Sequence, residues 1–146
     1  QLYTENLEEL GIDPNLQTPG RPICRNTAQA LIKNMQMARK SGDPKAAEIV
    51  AAECVVIAES KCHLNWELVG ELGKKMKSDE GKRLKAAYEE VHEQEKEHLY
   101  HTQGWARELW ISRLGMPAVI PPPEEEKDVK TRIGAEKAKN ARKEML

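Results

Sequence analysis

The sequence predicts an all-α protein, an antiparallel helix bundle built on one long helical hairpin. Three observations carry that reading. No proline occurs between Pro44 and Pro117, and Ala, Glu, Leu, Lys and Val dominate the stretch. Asp43-Pro44 and Ser78-Asp79 are both strong helix starts, a capping side chain followed by residues suited to a first turn. Apolar residues then recur at alternating spacings of three and four, the signature of a buried helical stripe.

Taken in order, residues 1–25 form an N-terminal segment. A short helix over Glu5–Leu10 stops at Gly11, and a loop punctuated by Pro14, Pro19, Gly20 and Pro22 follows. Asn26 or Thr27 caps a first longer helix that runs to Lys40 and ends on Ser41-Gly42. The bundle core, residues 26–115, continues with a helix over 44–77 and another over 79–114 that closes on Gly115. Joined by a very short turn, these two must lie antiparallel. Each is about 45–50 Å long at ~1.5 Å per residue, too long for the 26–40 helix to cover. The missing cover is expected from the C-terminal segment, from a second copy, or from both, so a homodimer or higher homo-oligomer is expected. Residues 116–146 are a Pro-rich spacer, Pro121-Pro122-Pro123, and a charged arm with acids first and bases last, the polarity a helix dipole favours. The arm reads as a weakly amphipathic helix on a partner or as a partly solvated tail.

Composition narrows the function classes. With 23 basic and 24 acidic residues the net charge is −1, and no basic face stands apart before the tail, so nucleic acid is not an expected partner. No apolar run reaches the ~18 residues that would span a bilayer. The Gln1–Glu5 start lacks a leader's basic-then-apolar pattern and an initiator Met, so an upstream segment can be missing. Cys24, Cys54 and Cys62 are odd in number and form no C-x-x-C pair. They read as reduced thiols of a cytoplasmic protein. Cys62 and His63 are sequence neighbours pointing about 100° apart on a helix, and do not read as a catalytic pair.

The chemistry concentrates on the hairpin. Projected at ~100° per residue, Leu84, Tyr88, Val91, Glu95, His98, Thr102, Trp105 and Leu109 share one stripe, with Glu95 and His98 at its centre. An unpartnered carboxylate among apolar neighbours costs several kcal/mol or is forced neutral, so the pair demands an explanation. On the 44–77 helix the corresponding stripe reads Ile49, Glu53, Val56, Ser60, His63, Glu67. Counting back from the turn sets position 63 opposite 95 and 60 opposite 98. His63 and Glu67 therefore face inward at the level of Glu95 and Val91, Ser60 faces His98, and Glu59 lies one turn before His63. Carboxylates and imidazoles at matched heights point to a metal site with Glu95, His98, His63 and Glu67 as ligands and Glu59 as an alternate. The same residues could instead form a buried polar network in a non-enzymatic helical scaffold or interaction protein. The remaining acids, Glu89, Glu90, Glu93 and Glu97, read as solvated surface charge, and His92 and His101 as flanking surface or interface residues. Trp66, Trp105 and Trp110 read as packing anchors whose indole N–H groups need acceptors.

Glu95 and His98, within His92-Glu93-Gln94-Glu95-Lys96-Glu97-His98, resemble the Glu-x-x-His motif of the ferritin-like superfamily, which includes rubrerythrin-type and half-ferritin-type helical proteins. The similarity covers about residues 44–114. It implies a ferritin-like bundle with a di-iron or related site, built twice from a lone Glu plus a Glu-x-x-His, and redox or iron-handling chemistry of a ferroxidase-like or peroxidase-like kind. Fe is the implied metal, with Mn or Zn also compatible with oxygen and imidazole ligands. The sequence departs from that pattern: His63 stands where the lone Glu would be, and residues 26–40 contain no acid or His. A dinuclear site would then need two hairpins meeting across a dimer, and a mononuclear site would not.

Overall fold

The computed structural model describes residues 2–146, apart from the side chains of residues 2, 3 and 6; Gln1, the first residue of the segment read against a leader, lies outside them. Among the described residues every regular element is helical. α1 is Leu2–Glu9, α2 Gly20–Lys40, α3 Pro44–Lys75, α4 Asp79–Arg113, α5 Pro123–Glu126 and α6 Arg132–Ala141, with a final 3₁₀ turn at Arg142–Glu144.

α3 and α4 form the long antiparallel pair. The caps named from sequence act as caps: the Asp43 carboxylate accepts from the Ala46 N–H at 3.0 Å, and the Ser78 hydroxyl from the Gly81 N–H. Backbone hydrogen bonding keeps the Asp43 carboxyl below its usual range, with Arg113 adding to the effect. Close approach near the turn depends on two glycines. A Cβ on Gly73 would sit 2.6 Å from the Lys85 backbone nitrogen, and one on Gly70 would sit 2.9 Å from the Tyr88 ring. At the open end Arg113 pairs with Asp43 at 2.7 Å, and the Trp110 indole donates to Glu53 at 2.7 Å. The register is thus pinned at both ends.

α2 begins at Gly20, six residues before the start expected at Asn26. Pro22 occupies its first turn, where the missing N–H needs no partner, so of the prolines that read as loop Pro22 is inside the helix and Pro19 stands at its N-cap, while Pro14 stays in the loop. α2 lies along α3, where the Cys54 thiol donates to the Leu31 carbonyl at 3.6 Å, yet none of its own residues is buried.

The arm expected on a partner, or in solvent, folds back instead on the second half of α4. Val129 and Ala138 are buried there, beside Glu108 and Glu124. Gly104 makes this docking fit, because a Cβ there would meet the Glu124 carboxylate at 2.6 Å and Pro122 at 3.0 Å. The Ile120–Pro121 peptide is cis. Near the chain's end, Arg142 bonds Glu108 at 2.8 Å and also donates to the Pro117 carbonyl. The hairpin's cover is therefore uneven: among the described residues α1 and the C-terminal segment pack on α4, and α2 is the main cover of α3.

Candidate metal centre

The inward stripe of α4 follows Tyr88, Glu95 and Leu99, not Glu95 and His98. Tyr88 and Leu99 are buried while His98 is exposed. The cause is the helical period: a strict three-four alternation drifts about 20° per heptad from a 3.6-residue helix. After Glu95 the buried face steps four residues, to Leu99. The matching heights across the hairpin do hold, since Gly73 meets Lys85, Gly70 meets Tyr88, and Cys62 meets Glu95.

Within that register the five sequence-derived ligands go to different places. Glu67 accepts from the Tyr88 hydroxyl at 2.9 Å, and Tyr88 stacks on His92 with centroids 4.7 Å apart. Burial, then the Glu67 bond and charge, push the Tyr88 phenol up to about 12. Glu95 faces Cys62. Burial first, then Glu95 and Glu59, push that thiol up to about 12. The second Glu95 oxygen, Oε2, is buried without a hydrogen-bond partner. His63 is half-buried, and His98 is exposed. The structure thus brings Glu95 and Glu59 to Cys62, holds Glu67 at Tyr88, and leaves His98 apart.

Among the described residues, one group of three side chains has ligand atoms all within 4.8 Å of one another: Glu97, His101 and Asp128. Glu97 and His101 lie one turn apart on α4, a spacing that puts both on one face. Asp128 follows α5 in the left-handed region, with φ of 48°, a conformation Asp tolerates better than most residues. Glu97 and His101 are half-buried and Asp128 exposed. The His101 Nε2 atom is buried and has no hydrogen-bond partner. One cation already stands nearby: Lys130 Nζ lies 3.5 Å from both the Glu97 and Asp128 carboxylates. Its ammonium is held above the usual lysine range by those two charges, Asp128 first.

Reading for apolar periodicity missed this group. The face that carries it, Glu97, His101, Gly104 and Glu108, has the helical four-three-four spacing but no large apolar residue. Polar and small residues at helical spacing were the available signal. Along that face the next layer is an ion-pair cluster. Arg107 reaches Glu124 through two bonds, at 2.5 and 2.8 Å, and Glu108 at 3.0 Å. Glu108 also accepts from Arg142 and from the Val119 N–H at 2.9 Å. Burial pushes the Glu108 carboxyl upward, but the Arg142, Val119 and Arg107 bonds outweigh it and hold the group below the usual value of 4.5. The Trp105 indole donates to Glu125, so both Trp105 and Trp110 find carboxylate acceptors.

Neither a protein-family model, a curated protein nor a solved structure matches this chain.

Proposed function

We propose that this chain is a helical metal-binding protein whose ion sits among Glu97, His101 and Asp128. The observation that carries the reading is His101, which has a buried, unpartnered Nε2 and a ring nitrogen within 4.8 Å of two carboxylates drawn from different parts of the chain. A buried nitrogen left without a partner costs about 1–3 kcal/mol, and a metal ion removes that cost. Two oxygens and one imidazole suit Fe(II), Mn(II) or Zn(II). A bound Fe or Mn would add one-electron chemistry, and Zn a Lewis acid. The chain's own contribution is to hold the imidazole between α4 and the C-terminal segment and to set the two carboxylates around it. Within the same reading the hairpin is ferritin-like, with a second hairpin from another copy needed for four helices around one core. Glu95, with its unpartnered Oε2, faces Cys62 across the hairpin and is not among the ligands of this site.

A structural reading is favoured by Lys130. Its ammonium already balances Glu97 and Asp128, so the trio can serve as a clamp for the C-terminal segment in a scaffold protein. The two readings part on Lys130. Binding of Fe(II), Mn(II) and Zn(II) to tag-free protein by calorimetry, with elemental analysis, is expected to give one ion per chain. His101→Ala and Asp128→Ala should each weaken it at least tenfold, and Lys130→Ala should tighten it by removing the competing cation. Glu95→Ala should leave this site intact. No stoichiometric ion, with melting unmoved by added metal and Lys130→Ala merely destabilising, would sink the metal reading and favour the clamp.

A further inference from the structure

The uneven cover of the hairpin leaves an apolar surface on α3. Antiparallel packing puts the start of α2 near residue 65 of α3, and the stripe continues uncovered as Leu64, Leu68 and Leu72, which are 64%, 59% and 43% exposed. Beside this ridge lies a groove of about 260 Å³ between the first half of α2 and the middle of α3, walled by Ile23, Leu31 and Ile57. Ile23 is 65% exposed. A convex apolar ridge next to a concave apolar groove on one face is the arrangement a two-fold self-contact needs: each copy's ridge enters the other's groove.

The surface area points the same way. The chain exposes 9937 Å². A compact monomer of its 16.5 kDa mass exposes about 7,500 Å² by the usual mass scaling. The excess is roughly 2,400 Å², against about 800 Å² that each partner buries in a standard stable interface. An isolated chain would also hold α2, which buries none of its residues, by one thin contact. Closing this face removes Ile23, Ile57, Leu64, Leu68 and Leu72 from water together, at about 25 cal/mol per Å² of apolar area buried.

We infer that the face formed by Ile23, Ile57, Leu64, Leu68 and Leu72 is the two-fold interface of a homodimer, the partner being a second copy of this chain. The inference is independent of the metal reading, so its test is run with chelator present. Sedimentation equilibrium at tens of micromolar should give twice the chain mass. Leu64→Asp with Leu68→Asp on the ridge should weaken association at least a hundredfold. Ile23→Asp on the groove wall should do the same by itself. All three positions are exposed in the single chain, so far-UV helix content should be kept. Ile133→Asp, 71% exposed and off this face, should leave the dimer intact. A wild-type mass of one chain overturns the inference, as does a dimer that survives both the ridge and the groove substitutions. Single chains that instead bind phospholipid vesicles through this face would also overturn it, making a lipid surface the occupant.

Discussion

Glu108 is fully buried and is answered by two arginines and a backbone amide. Removing one member of a buried ion cluster leaves charge that nothing compensates. Glu108→Ala is therefore expected to cost about 3 kcal/mol, read from denaturant midpoints. The sign of the pH effect follows from the carboxyl's lowered value. The folded group binds its proton less readily than the unfolded one, so its stabilisation is full above the usual carboxylate value of 4.5 and disappears as pH falls through the lower folded value. Near-UV circular dichroism should show the C-terminal segment docked at pH 6 and released well below pH 4.5, with Glu108→Ala flattening that transition. Glu97, His101 and Asp128, by contrast, were not legible as a unit in the sequence. Asp128 reaches the α4 pair only because the segment after Pro123 folds back, and nothing local in the sequence announces a contact across that many residues.

At the scale of elements, the long hairpin and the end of α2 at Lys40 were legible, and the start of α2 was not. Asp43-Pro44 and Ser78-Asp79 state their own caps, whereas Pro22 can belong to a loop or to a first turn, and only packing on α3 decides. The side-chain phase of α4 was legible to within one step. It was right at Tyr88 and Glu95, then lost at His98, where period 3.5 and period 3.6 part. Glycine spacing fixes how closely α3 and α4 approach. Because the Lys85 backbone cannot yield as a flexible side chain can, Gly73→Ala should destabilise the hairpin by about 2 kcal/mol. Gly20→Ala, which meets nothing nearer than 3.9 Å, should be neutral or slightly stabilising. Thermal melts of the two variants, compared side by side, check the difference.

Across the whole molecule, two packing regimes share one scaffold. The α4 side is closed by the chain's own C-terminal segment through ion pairs, and the α3 side presents an open apolar face. The three cysteines fall across these environments. Cys54 is buried, and burial followed by the Glu53 charge pushes its thiol up; Cys62 stands near 12 beside Glu95; Cys24 is exposed on α2. Alkylating reagents attack the thiolate, and a thiol near 12 is ionised in only about one molecule in 10⁵ at pH 7. A maleimide dye at neutral pH should accordingly attach only at Cys24, once per chain where the chains are dissociated and more slowly where the α2–α3 face is paired, as intact-mass spectrometry can verify. Since Cys24 also lines the α2–α3 groove, its rate of labelling falls when anything enters there, which gives the protein a reporter at its own interface without a single engineered residue.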